Sequence, residues 1–177
     1  MTAPVIETNR LRLRGHTMAD LDALCDLFAS DRAEYMGGAI ARKDAWRWLA
    51  SEVAMWDLLG HGAWGIETRD GAFLGQVGLL KPPHFPEVEL GYTLLESAEG
   101  KGYAFEAASA VLGWAWAQGF ETLVSYIDPN NARSIALAER LGATHDPQAA
   151  LPDGETAEET IVYRHFPDTD GSPEAYA

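Results

Sequence analysis

Residues 87–107 read EVELGYTLLESAEGKGYAFEA. Residues 87–95 are predicted to form a β-strand, and a short loop carrying Gly100 and Gly102 follows. An almost wholly apolar helix then opens at Tyr103 and runs to about residue 118. The first four N–H groups of such a helix lack internal partners, and its dipole makes that end positive. Glycine lets the backbone approach a ligand closely. Strand, Gly-x-Gly loop and helix together make an anion site suited to a pyrophosphate. Gly-x-Gly alone says little, because strand-to-helix turns also use glycine for steric reasons. A dinucleotide fingerprint needs a third glycine where Phe105 stands, and a P-loop needs Gly-Lys-Ser/Thr after a longer loop. This stretch has neither.

Working outward, RLRLR over residues 10–14 alternates at period two, as a half-buried strand does. Thr17 and Asp20 have the spacing of a capping box ahead of a helix bearing Leu21, Leu24 and Phe28 on one stripe. A second helix is expected over residues 44–59, with Trp46, Trp48, Leu49, Val53, Trp56 and Leu59 read as core. Strands over 63–68 and 72–80 are joined at Arg69-Asp70-Gly71, a hairpin signal. After the apolar helix come a strand over 122–127, a turn at Asp128-Pro129-Asn130-Asn131, and a helix over 132–141 stopped by Gly142. A polar loop over 152–159 and a strand over 160–166 close the pattern. No repeat or break in composition divides the chain. The expectation is one α/β domain over residues 1–166, built on a mixed sheet, with a disordered tail over 167–177.

Composition narrows the function classes. The chain has 177 residues, 47% hydrophobic and 23% charged, enough for one sizeable core. Its single cysteine, Cys25, sits in an apolar stretch and is read as a small buried hydrophobe. No Cys/His cluster suggests a metal. A net charge of −14 argues against nucleic acid or an anionic membrane as partner; it suits a cationic substrate, and solubility equally. No apolar run has the ~20 residues of a membrane span, and the N-terminus lacks a signal-peptide pattern, so a cytoplasmic location is expected.

Residues 87–143 resemble the acetyl-CoA-binding core of the GNAT superfamily of N-acetyltransferases. They are closest to the branch that acetylates ribosomal-protein N-termini, the RimJ/RimL-like enzymes. That branch pairs a Glu-x-Gly-Tyr strand with a Gly-Lys/Gln-Gly-Tyr-Ala-x-Glu-Ala loop and helix. Here these read Glu89-Leu90-Gly91-Tyr92 and Gly100-Lys101-Gly102-Tyr103-Ala104-Phe105-Glu106-Ala107. Downstream, Asn131-Ala132-Arg133-Ser134 and Leu141-Gly142-Ala143 match the family's Asn-x-x-Ser and Leu-Gly-Phe. With RLRLRGHTMADLDALCDLF and LGQVGLL the resemblance covers roughly residues 8–166. It implies a mostly antiparallel central sheet flanked by helices, with a splayed parallel strand pair at the acetyl-CoA site. Two positions depart from the pattern. Glu99 stands where the family loop carries Gln or Arg, and Ala138 stands where some members carry a tyrosine acid.

The resemblance implies transfer of an acetyl group from acetyl-CoA, as co-substrate and without a metal, to a primary amine. The acceptor is a protein N-terminus or a small molecule. Since an alkyl ammonium titrates near ~10, a carboxylate must remove its proton, directly or through water. Glu89 is the candidate base, against a purely structural or solvent-facing glutamate. The implied cofactor contacts are Gly100, Lys101, Gly102, Tyr103, Ala104 and Phe105. Where the strand splays, the amide of Leu94, with Thr93 and Leu95 adjacent, is placed on the thioester carbonyl. Ser134 is the candidate acid for the leaving thiolate, against a first-turn serine bonded to its own helix. Asn131 either bonds pantetheine or caps its helix. The acceptor site is expected among the α1–α2 region and the 82–86 and 152–159 loops. Two rival readings remain: a non-catalytic acyl-CoA sensor on the same fold, and a homodimer module suggested by Trp46, Trp48 and Trp56.

Overall fold

The computed structural model describes residues 2–167, so the tail expected over 167–177 lies almost wholly outside the described residues. In chain order come β1 (Ile6–Glu7), β2 (Leu11–Arg14), α1 (Leu21–Phe28), α2 (Arg42–Leu59), β3 (Ala63–Thr68) and β4 (Phe73–Leu80). They are followed by β5 (Glu89–Leu94), α3 (Tyr103–Ala117), β6 (Leu123–Ile127), α4 (Ala132–Arg140), β7 (Thr144–His145) and β8 (Ile161–His165). A 3-10 turn over Asp31–Met36 links α1 to α2. The strands form one mixed sheet in the order β1-β2-β3-β4-β5-β6-β8-β7. Every neighbouring pair is antiparallel except β5 and β6, which are parallel and pair only at Glu89↔Val124. Beyond that point the two strands diverge toward their C-terminal ends. This is the mixed, helix-flanked sheet that the resemblance implies.

Strand alternation assigns the two faces. Leu11, Leu13, Trp64, Ile66, Val77, Leu79 and Leu90 are fully or almost fully buried, in one cluster with Ala107, Ala108, Val111, Leu112 and Ala115 of α3. That contact explains why α3 is apolar almost all round. Trp56, Trp64 and Trp114 meet edge to face at 4.6, 5.3 and 5.7 Å between ring centroids. The indole N–H groups of Trp56 and Trp64 donate to the carbonyls of Ala63 and Pro4, so this aromatic centre carries no unpaired donor there. The opposite face, with Gln76, Gly78, Glu89 and Gly91, turns toward α2, as the bond from Gln76 to Glu52 shows.

The core reading of α2 needs correction. Ala45, Leu49, Glu52 and Trp56 form its buried row, at i, i+4, i+7 and i+11. Trp46, Val53 and Leu59 lie off that row and are 49, 43 and 46% exposed. Aromatic density misled; helical phase decides. The strand expected over 87–95 is shorter too, since Glu87 precedes β5 and gives both carboxylate oxygens to Arg164. The Thr17 amide donates to Asp20 as the capping-box spacing predicted, although the cap precedes a 3-10 turn that leads into α1. No helix of the described residues is long and apolar enough to cross a membrane.

Candidate active site

The C-terminal end of β5 leads directly into the glycine loop. Gly100 and Gly102 sit at φ +69 and +77, in the left-handed region that glycine enters without penalty. Gly102 is the N-cap of α3, and no side chain caps that helix. The Glu106 amide bonds to the Gly102 carbonyl at 3.1 Å, the first bond of the helix. The amides of Tyr103, Ala104 and Phe105 therefore point out of the helix end without intrahelical acceptors. A 15-residue helix with an uncapped N-terminus behind two left-handed glycines suits a pyrophosphate.

Side chains distant in sequence hold this loop. The Glu106 carboxylate accepts from Thr8 Oγ1 at 2.6 Å, the Arg10 amide at 2.8 Å and Arg10 Nε at 2.6 Å. Arg10 Nη1 also donates to the Lys101 carbonyl at 2.7 Å. Glu99, the departure from the family loop, is neutralised by Arg133 at 2.6 Å and by Arg32. These two guanidiniums hold its carboxyl down to about 2. Lys101 turns its Nζ to the Ser97 carbonyl at 2.9 Å. Two arginines thus flank the loop where a single Gln or Arg was expected.

The ladder decides which β5 amides are available. The Leu95 amide donates to the Leu74 carbonyl at 2.8 Å, so Leu95 is spent on β4. Antiparallel alternation commits Thr93, opposite Gln76, in the same way. Tyr92 and Leu94 direct their amides to the other side, into the gap where β6 has diverged. Of the three residues placed at the thioester, Leu94 alone has an amide facing the gap. Its carbonyl accepts from Arg32 Nε at 2.7 Å, and Thr93 Oγ1 contacts Met36, so the Asp31–Met36 turn lies alongside the end of β5.

Across the gap, Asn131 Oδ1 accepts from the Ser134 amide at 3.2 Å and caps α4. The Ser134 carbonyl accepts from the Tyr92 hydroxyl at 3.1 Å. Ala138 is fully buried beside Ile127, Ala143 and Tyr163, so the position of the missing tyrosine is filled by packing. Tyr92, quoted above for its motif but given no role, brings a phenol to the first turn of α4. Burial pushes its pKa up to about 12, so it keeps its proton.

The α2 face of β5 holds the carboxylates. Gly91 is paired with Gly78, and a Cβ added at Gly91 would lie 3.3 Å from Glu89 Oε2 and 3.1 Å from Leu80 Cδ1. A Cβ at Gly78 would lie 2.9 Å from both Ala63 Cα and Leu80 Cδ2, so close packing confines both positions beside Glu89 to glycine. The residue as a whole is half-buried, yet burial of the carboxyl group dominates its titration and pushes it up to about 8. The Tyr126 amide opposes that shift and the charge of Glu155 adds to it. Glu155 comes from the polar loop after β7, which the Asp153 amide ties to the His84 carbonyl at 2.9 Å. The 82–86 and 152–159 loops thus meet, and the charge of Glu155 reaches Glu89 from there.

Sequence reasoning missed Glu52, on the buried row of α2 and only 4% exposed. Burial, and then the charge of Glu89, push its pKa up to about 8. Gln76 Nε2 donates to its Oε2 at 3.1 Å, and Gln76 Oε1 lies 2.7 Å from His16 Nε2. His16 Nδ1 in turn faces Asp20 at 3.0 Å, and Arg14 makes two bonds to the same carboxylate. A buried polar chain therefore runs from Glu52 to the Asp20–Arg14 pair. The visible sequence signal was a glutamate in phase with Ala45, Leu49 and Trp56. A carboxyl whose pKa is raised on folding keeps a proton that the unfolded chain has lost, so its effect on stability turns unfavourable as pH rises from about 4.5 to about 8. Glu52→Gln, neutral throughout, should therefore raise Tm relative to wild type at pH 9 and not at pH 5. An equal shift at both would show that Glu52 ionises normally.

His61 is buried with Nδ1 on the Leu79 carbonyl, and His84 is exposed in its loop against Phe85. Cys25, expected to be buried, is half-buried, packed at the margin of the cluster that holds Leu21, Leu24 and Phe28 and close to Arg42. Among the described residues no three His, Cys, Asp or Glu side chains gather as a metal site requires.

A family model described as an acetyltransferase (GNAT) domain matches residues 10–144. An acetyltransferase of known crystal structure from Agrobacterium tumefaciens is 41% identical, with TM-score 0.87 over 94% of this chain and 96% of that one. The Bacillus subtilis protein YkkB is 30% identical over 147 residues, 76% of this chain and 82% of its own. A RimL ribosomal L7/L12 alpha-N-protein acetyltransferase in complex with coenzyme A is 18% identical, with TM-score 0.71 over 92% of this chain and 98% of its own. At that identity the likeness concerns the fold alone.

Proposed function

This chain belongs to the GNAT family of acetyl-CoA-dependent N-acetyltransferases, and on that premise we propose that it acetylates a primary amine by direct attack in a ternary complex. One observation carries the reading. The parallel pair is in register only at Glu89↔Val124, with one further link from Ser125 Oγ to the Leu90 carbonyl, so Glu89 stands near the apex of a gap headed by the uncapped end of α3. The cofactor's pyrophosphate lies on the amides of residues 103–105, with Arg32 and Arg133 close by and Glu99 held away. Pantetheine follows the gap past Tyr92, Leu94 and Asn131; a RimL relative of the same fold binds coenzyme A.

The amine nitrogen attacks the thioester carbon, and Glu89 takes the proton the nitrogen loses. The Leu94 amide donates to the carbonyl oxygen as it gains charge, an interaction worth roughly 3–4 kcal/mol in comparable oxyanion sites. The N–C bond forms, the C–S bond breaks, and the thiolate receives a proton relayed through the Ser134 hydroxyl, which takes one back from water as it gives one up. The acceptor is a protein N-terminal amine or a small-molecule amine; the RimL relative acts on a protein α-amine. Purified protein, acetyl-CoA and a panel of amines and N-terminal peptides test this. Amine-dependent release of CoA, with one acetyl group added to the amine, is expected. Binding of acetyl-CoA with no turnover on any amine would instead mark a sensor.

A CoA thiolate has a conjugate acid near ~8.5, taking a free cysteine thiol as guide, so it leaves readily at neutral pH. Its protonation matters less than deprotonation of the amine. Ser134→Ala should therefore cost about 3–30-fold in turnover, well under the ~10²–10⁴ typical of an essential acid or base. The loss should grow at high pH. Full activity across the pH range would leave Ser134 a structural residue of α4.

A further inference from the structure

A strand that loses its neighbour leaves backbone donors and acceptors in need of other partners. Among the described residues β5 and β6 are last linked at the Leu90 carbonyl, which accepts from Ser125 Oγ at 2.9 Å. Further along β5, the amide and the carbonyl of Leu94 both face the gap, because the two groups of one residue leave an antiparallel strand on the same side. Arg32 Nε donates to that carbonyl at 2.7 Å, so a side chain stands where the next strand would have been. The same guanidinium reaches the glycine loop. Its Nη1 donates to Glu99, whose Oε1 also lies 2.6 Å from Arg133 Nη2. The turn that carries Arg32 is fixed at both ends. Ser30 Oγ accepts from the Arg32 amide at 3.3 Å and caps the turn, and Thr93 Oγ1 contacts Met36 Sδ at 3.4 Å. The Arg32 side chain is 23% exposed, against 72% for Arg133.

We propose that Arg32 is a positioning residue for acetyl transfer. By holding the Leu94 carbonyl it aims the Leu94 amide at the thioester oxygen, and through Glu99 it ties that amide to the loop that receives the pyrophosphate. The inference rests on the transferase reading above and adds a residue to it. A donor aimed in advance needs no reorganisation as charge develops on the oxygen. β4 holds the end of β5 from one side, through the bond from the Leu95 amide to the Leu74 carbonyl, and Arg32 supplies the hold on the other. A guanidinium suits the task because its donors form a rigid fork, so Nε and Nη1 serve two partners at a fixed separation, which an ammonium cannot do. Arg133 shares the Glu99 end of this bridge and, among the described residues, not the Leu94 end.

Matched variants separate the two ends of the bridge. Arg32→Ala and Arg133→Ala each take one cation from Glu99, so both should raise KM for acetyl-CoA, by about 2–5-fold, the scale of one partly exposed ion pair. Arg32→Ala alone should also lower kcat, by about 10-fold or more, a part of the ~10²–10³ that loss of an oxyanion donor costs. Arg32→Lys keeps a charge for Glu99 but has no Nε–H at the Leu94 carbonyl, so it should recover KM and not kcat. Isotope-edited infrared spectra of acetyl-CoA labelled at its carbonyl carbon read the positioning without turnover. On wild type the carbonyl stretch should fall below that of free acetyl-CoA, because a hydrogen bond weakens the C=O bond. In Arg32→Ala and Arg32→Lys it should return toward the free value; in Arg133→Ala it should stay shifted. All three variants should melt cooperatively. No shift in wild type, a shift that survives Arg32→Ala, an equal loss of kcat in Arg133→Ala, or recovery of kcat by Arg32→Lys would each overturn the proposal. A shift lost only with Arg32, in a protein that releases no CoA with any amine, sinks the transferase reading alone. Amine-dependent turnover at full kcat in Arg32→Ala sinks the positioning role alone.

Discussion

Glu89→Gln lowers turnover by about 10²-fold or more and leaves acetyl-CoA affinity unchanged, since proton removal by a positioned base typically contributes ~10²–10⁴. The carboxylate lies on the α2 face of β5, away from the amides that receive the cofactor. The accompanying change in pH dependence is the more telling one. Burial holds the Glu89 carboxyl up to about 8, with the Glu155 charge raising it and the Tyr126 amide opposing. A base works only when ionised, so wild-type kcat/KM should climb with pH through about 8. Glu52, raised by burial and then by the charge of Glu89, titrates nearby and broadens the rise. In Glu89→Gln the limb assigned to the base disappears. A variant that keeps the limb and the rate places the base elsewhere, or leaves the proton to water.

Gly102→Val should weaken acetyl-CoA binding at least about 100-fold. Gly102 sits at φ +77, where a β-branched residue is strained by roughly 1–3 kcal/mol, and its Cβ would stand 3.4 Å from Arg10 Nη2. The new side chain also intrudes on the helix end whose amides meet the pyrophosphate. The buried cluster beneath α3 is untouched, so the protein should melt cooperatively at a somewhat lower temperature. Calorimetry with acetyl-CoA reads the first effect and a thermal melt the second. Wild-type affinity in Gly102→Val would move the cofactor away from this loop.

Local backbone demands were legible in the sequence. Gly100 and Gly102 occupy conformations that only glycine takes easily, and Thr17 and Asp20 satisfy each other within four residues. The alternation of RLRLR stated its own burial, for Leu11 and Leu13 are both fully buried. Pairings across the chain were not legible. Arg10 reaches Glu106 over 96 positions and Arg32 reaches Glu99 over 67, and no spacing rule joins such residues. The availability of the Leu94 amide likewise depends on which neighbour β5 loses, a property of the sheet rather than of any side chain. Glu52 was hidden for a different reason. The tryptophans of α2 suggested the wrong phase, and a glutamate on the true phase looked like an interruption.

The central claim is that acetyl-CoA and amine meet together in the gap between β5 and β6, with no acetylated enzyme between them. Initial rates of CoA release, measured while both acetyl-CoA and a turned-over amine are varied, test it most directly. A ternary complex predicts double-reciprocal lines that intersect, with release of CoA dependent on the amine. Parallel lines, or a burst of CoA from acetyl-CoA alone equal to the enzyme present, would show a covalent acetyl-enzyme and contradict direct attack assisted by Glu89.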